Sequence, residues 1–162
     1  MAISRFPIRP GVDLRNINSA SPREPFSSTS NVSDMFEIET NKLGQEKGNA
    51  AEKTFASQMV ADHTKTSTEL KGLVSSGKVQ AQLLTALDSS HQSKLDKLKA
   101  ESGKDFSSGF DSMQVSAHKD AVSLFERYAK GGDNADLKDW AGKTLPALKH
   151  HLEMAEDLAK PK

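Results

Sequence analysis

Residues 55–74 read FASQMVADHTKTSTELKGLV. Phe55, Met59, His63, Thr66, Leu70 and Leu73 recur at steps of three and four, the spacing of one face of an α-helix. That face is apolar except at its centre, where His63 sits, with Asp62 beside it turned toward the polar side. A helix carrying a histidine midway along its inner stripe needs neighbours that accept an imidazole. The flanking sequence supplies candidates for them.

Working outward, Ser33 predicts the N-cap of a preceding helix with Asp34 in its first turn, and Phe36, Thr40, Leu43 and Ala50 on its inner face. Gly48-Asn49 ends or kinks it, and the quoted helix then runs from about Ala50 to Ser76 with Gly77 just beyond. A third helix is predicted from about Val79 to Glu101 on the steps Leu84, Leu87, His91, Leu95 and Leu98. A fourth spans about Asp105 to Lys130, with Val115, His118, Val122, Phe125 and Ala129 on one stripe, and Gly131-Gly132 breaks it. A fifth runs from about Asn134 to Ala159, with Leu137, Trp140, Leu148, His151, Ala155 and Leu158 inward and Pro146 kinking or dividing it. Several antiparallel helices with short connections predict an all-α bundle occupying residues 33–160.

Residues 1–32 differ in composition. They hold Arg5, Arg9, Arg15 and Arg23, four of the six prolines, and no sustained period. They read as a disordered leader or an appended extension. At 162 residues the whole chain suits one domain with a core. Charge is balanced, 22 basic residues against 22 acidic, so no global field favours nucleic acid. Without cysteine there is neither a disulfide nor a thiolate metal site. No apolar run approaches the ~20 residues that cross a bilayer, and no short apolar stretch of the secretory type follows the N-terminus.

Of five histidines, His63, His118, His151 and His91 lie on inner stripes, and His150 lies beside one. Chance would place roughly two of five on a stripe of ~3 positions in 7. At ~1.5 Å per residue, Glu37 lies ~18 Å from the first turn and His63 ~21 Å back along the returning helix. The same rise puts His118 ~21 Å and His151 ~28 Å from the Gly132 turn, a mismatch of about a turn. Three imidazoles and a carboxylate on four helices then meet near one level, a donor set for Zn, Fe, Mn or Cu. On the helical wheel Glu39 borders the inner stripe better than Glu37. The competing reading is a metal-free polar histidine core, satisfied by hydroxyls, carboxylates or water. No single helix carries an HxxxH or HExxH motif.

With helices and histidines placed, MFEIETNKLG (35–44), FASQMVADHTKTSTELKGL (55–73), LDKLKAESGKDF (95–106), QVSAHKDAVSLFERYAKGG (114–132) and LKDWAGKTLPALKHHLEMAEDL (137–158) resemble a known group. It is the bacterial ferritin-like family of domains of unknown function, often labelled as outer-membrane or exported proteins. The resemblance implies a ferritin-like antiparallel four-helix bundle with one additional short helix, and an exported, usually periplasmic, location. Its pattern falls on Glu37, His63, His118 and His151, so it favours Glu37 over Glu39. The chain departs from ferritin-type di-iron sites, which use Glu-x-x-His pairs. Val60, Val115 and Leu148 stand three residues before its histidines.

Two functions remain open at this level. One is a bundle holding a single transition-metal ion in a storage, sensing or stress role, through Glu37, His63, His118 and His151. The other is a non-catalytic structural or interaction protein with a metal-free histidine core, a monomer or homo-oligomer with an unknown protein partner. An enzyme ranks below both, because no nucleophile motif and no phosphate-cradling loop is present.

Overall fold

The computed structural model describes residues 25–161, and these form five helices and no strand. The helices are α1 (Phe26–Lys47), α2 (Ala50–Ser75), α3 (Ser89–Ala100), α4 (Gly103–Gly131) and α5 (Ala135–Leu158). Consecutive long helices pair most closely, α1 with α2 and α4 with α5. α1 also packs on α4, α2 on α5, and the short α3 on α1 and α4.

The turn between α1 and α2 is fixed by local chemistry. The Asn49 side chain accepts from the N–H groups of Ala51 and Glu52, and Glu52 Oε2 accepts from the Asn49 N–H at 2.8 Å. This reciprocal arrangement satisfies the first orphan donors of α2. Asp88 and Asn134 cap α3 and α5 in the simpler way. After α2 the chain turns through Gly77, at φ +76°, a left-handed conformation that suits a residue without a Cβ.

Two apolar clusters divide the interior. One joins Leu43, Phe55, Met59, Phe106, Phe110, Ala155 and Leu158, with Leu95 and Leu98 of α3. The other joins Phe26, Leu70, Phe125, Leu137, Trp140 and Leu148. The first takes the end of α1 and the start of α2, the second the reverse. α2 and α4 therefore run in the same direction, and α1 and α5 run opposite to both. Between α2 and α4 the chain has to return along the full length of the molecule, and residues 76–102 with α3 make that return.

Several expectations are corrected. α1 begins at Phe26, not after Ser33, so residues 26–32 are helical and not part of a leader; residues 1–24 lie outside the described residues. FSSTSNV is poor in helix formers, yet Phe26 stacks on Tyr128 at 4.1 Å and meets Phe125 edge-on at 4.9 Å. That aromatic anchorage overrides weak local propensity. The third helix starts at Ser89, not Val79. The segment before it is irregular, with Val79, Ala81 and Leu83 turned onto the second cluster at every other residue. That is the spacing of extended chain. Leu84, expected inside, is exposed, and so is Ala50. On α4 the stripe is rotated: Gln114 and Ala121 are buried, while Val115 and Val122 sit at its edges. On α5 all six expected inward residues are buried, and the helix continues unbroken through Pro146.

Gly44 lies where α1 meets α2 and α4. A Cβ there would come within 2.7–2.8 Å of the buried Phe110 ring and 3.0 Å of the Ala56 Cβ. Gly72, also helical, has nothing within 4 Å of that position. Alanine is the better helix former at both. Urea unfolding should therefore give opposite signs: Gly72→Ala stabilises by about 1 kcal/mol, whereas Gly44→Ala destabilises by about 1–3 kcal/mol.

Candidate metal centre

Between the two apolar clusters lies a polar layer. His63, His118 and His151 are 2%, 1% and 3% exposed. α2, α4 and α5 each contribute one of them, and the three ring centroids stand 5.6 Å from one another. One ligand nitrogen from each ring lies within 4.8 Å of the others.

Each ring is held by one partner. His63 Nδ1 lies 2.9 Å from Asp34 Oδ1. His118 Nδ1 lies 2.9 Å from the Gln114 carbonyl, which only accepts, so His118 carries its proton on Nδ1 and its lone pair on Nε2. His151 Nε2 lies 2.8 Å from Asp62 Oδ2, and its Nδ1 is buried with no hydrogen-bond partner among the described residues. Nε2 of His63 and Nε2 of His118 face each other at 3.5 Å.

Burial pushes His63 down to about 4, against the pull of the Glu37 carboxylate. Burial likewise pushes His151 down to about 4, although Asp62 opposes it. Burial, reinforced by the Glu69 carboxylate, holds Asp34 well above the usual carboxylate range. With His63 held neutral by burial, its contact with Asp34 near neutral pH is a hydrogen bond and not an ion pair, which suits a site from which water is excluded.

α1 brings Glu37 to the same layer, 2% exposed, as a group that acts on His63 through its charge. Asn41 Nδ2 donates to Glu37 Oε2 at 3.0 Å and to Gln114 Oε1 at 3.2 Å, and Gln114 Nε2 donates to Thr40 Oγ1 at 3.3 Å. Glu37 Oε1 is buried and has no hydrogen-bond partner among the described residues. The structure brings the three histidines into one ligand group and leaves Glu37 outside it. Glu39 is half exposed and pairs with Lys42 at 2.7 Å. His91 takes no part: its Nδ1 lies 2.7 Å from Asp88 and its ring meets Phe36 edge-on. His150 is exposed.

Sequence reasoning missed the groups that hold the rings. Asp34, expected in a helix's first turn, lies two turns into α1 and is 4% exposed. Asp62 keeps a partly exposed side chain, as its place beside the polar side predicts, and also bridges to His151 of α5. A signal existed: Ser27, Asn31, Asp34, Glu37 and Asn41 step by three and four, with Ser30 beside them, and all are buried. Because the whole stripe is polar, it shows no contrast in hydropathy.

The residues fit a borderline metal ion. Each imidazole has one nitrogen in hydrogen-bond contact with a protein oxygen, which leaves its other nitrogen available as a ligand, the arrangement that orients metal-binding histidines. The orphaned Nδ1 of His151 and Oε1 of Glu37 are buried polar atoms of the kind a ligated ion satisfies.

Fold and site together define an all-helical protein with a buried three-histidine cluster. The chain belongs to the family described as domain of unknown function DUF4142, whose profile matches residues 18–158. No curated protein and no solved structure matches it significantly.

The buried histidines set an acid limit. In the window from about 6.5 down to about 4, the unfolded chain protonates His63 and His151 while the folded chain does not, so stability falls as pH falls. Asp34 works the other way, since its raised value favours the folded state on the acid side. Each of the two histidines can contribute up to about 1.4 kcal/mol per pH unit, and Asp34 offsets part of that, so chelator-treated protein should lose stability as the pH falls across that window. Urea midpoints at pH 7 and 4.5 measure it, and His151→Gln should shrink the difference.

Proposed function

We propose that this chain is a ferritin-like four-helix bundle with one additional short helix that binds a single transition-metal ion. His63, His118 and His151 are the ligands, the Glu37 carboxylate stands beside them, and the role is storage, sensing or stress protection. The fold reading is supported by connectivity: two helical hairpins joined by one long crossover is the arrangement of ferritin-like bundles. The exported, periplasmic location implied by the sequence resemblance is part of the same proposal.

One observation carries the metal reading. Three rings from three helices each set one nitrogen against a protein oxygen and converge, while His151 Nδ1 stays buried with no hydrogen-bond partner among the described residues. Imidazole donors with a carboxylate close by suit Zn, Fe, Mn or Cu. When bound, such an ion supplies the positive charge that the converging lone pairs lack. The lack of Glu-x-x-His pairs argues for one ion and against a di-iron centre. Binding is favoured over turnover because the groove of about 980 Å³ between α1, α3 and α4 is lined by none of the three histidines.

A metal-free core is the second reading, and the raised Asp34 favours it. A protonated Asp34 donates to His63 Nδ1, His63 Nε2–H donates to His118 Nε2, and His118 Nδ1–H donates to the Gln114 carbonyl. That chain closes without an ion. Turning it into a ligand set requires the loss of one proton.

Elemental analysis of protein purified without a nickel step separates the readings. About one equivalent of a transition metal is expected, lost when His63, His118 and His151 are replaced by alanine. At a free concentration about 100 times its Kd the ion should add about 2.7 kcal/mol to stability. Its affinity should rise about tenfold per pH unit while one proton is displaced. Wild-type protein that holds no metal, with a melting temperature indifferent to Zn, Mn, Fe and Cu, would leave the metal-free core.

A further inference from the structure

The three ring partners differ in their access to water. Asp34, which holds His63, has a side chain 6% exposed, and the Gln114 carbonyl that holds His118 belongs to a residue with no exposure. Asp62 is the exception: its side chain is 41% exposed while the His151 side chain that it touches is 4% exposed. On the opposite side of the bundle α3 packs over α1 and α4. The groove there is lined in part by Val32, Phe36, Ala117 and Ala121 and by none of the three histidines. The α2–α5 seam has no such cover among the described helices, and there one carboxylate bridges water and a ring.

We propose that Asp62 is the ion-relay residue of this centre: it captures a hydrated divalent cation at the α2–α5 seam and passes it to the three histidines. The inference rests on the metal-binding reading of the site. A carboxylate is an acceptor-only oxygen ligand suited to a hydrated cation. Its charge raises the local cation concentration, an effect worth 10- to 1,000-fold in association rate where a protein field focuses a charged ligand. Transfer inward needs no covalent change, only exchange of carboxylate and water oxygens for ring nitrogens. A relay lowers the barrier to passage in both directions, so Asp62 acts on the rates of loading and release, and its contact with His151 adds to the affinity as well. It is a positioning residue, because the ion at rest belongs to the histidines.

Asp62→Asn isolates the charge. The amide oxygen still accepts from His151 Nε2–H at the same position, and only the anion is lost. Stopped-flow mixing of chelator-treated full-length protein with Zn²⁺, followed with a competing dye, gives the association rate, and chelator chase gives the release rate. The association rate is expected to fall about tenfold and release to slow as well, so that Kd changes by less than the association rate does, with still one ion bound. Asp62→Glu, which restores the charge, should return most of the loss. Far-UV circular dichroism checks that both variants fold. Association at the wild-type rate in Asp62→Asn overturns the relay and leaves the metal centre standing. Faster release with unchanged association also overturns it, since Asp62 would then only orient His151. If wild-type protein takes up no Zn²⁺, the metal centre and the relay both fall.

Discussion

A neutral imidazole carried out of water still has one N–H to give away and one lone pair to satisfy, and an unmet group of this kind in an apolar interior costs about 1–3 kcal/mol. This chain buries three of them at one level, between two clusters of aromatic and aliphatic side chains. Much of the bundle's middle answers that demand. α1 places a polar stripe where a bundle helix ordinarily carries leucines, and Asp34 on it takes His63. α4 meets the demand of His118 with its own backbone, one turn back. α2 and α5 are joined across the seam by the His151–Asp62 contact at the same level. Register follows, because a slip of one helical turn would carry the rings away from the oxygens that hold them.

The long elements were legible because contrast in hydropathy marks them. α2 and α5 alternate apolar and charged residues at helical spacing, and their inward stripes matched the buried faces closely, His63 and His151 included. The convergence of three histidines followed from counting rise along antiparallel helices. What was lost had no contrast to read. The start of α1 is serine and asparagine on both faces, and its helical state depends on Phe26 finding Tyr128 more than a hundred residues away. The stretch before α3 contains leucines at helical steps, yet the second cluster draws Val79, Ala81 and Leu83 out as an extended strap. Asp34 and Asp62 stood in plain view, but their partners lie 29 and 89 residues along the chain, and a helical wheel knows nothing of a neighbour's needs.

Glu37 and Glu39 show how two kinds of inference fail differently. The wheel favoured Glu39, which the structure places at the surface with Lys42. The resemblance favoured Glu37, which the structure buries beside His63. Two positions along a helix differ by about 200° of rotation, so an inner face centred on the wrong residues sends the wrong glutamate inward. Leaving Ser27, Asn31 and Asp34 out of the stripe displaced that centre.

The return of the chain through α3 also bears on how the protein assembles. α1 with α2, and α4 with α5, are each joined by a short turn and each bring together residues close in sequence. Contacts of that kind form early and quickly. Docking one hairpin on the other has to await closure of a much longer loop. His63 rides on the first hairpin, and His118 and His151 ride on the second. The histidine triangle therefore exists only in the docked molecule, and a ligand that held all three rings would act as a clasp between two separately formed halves.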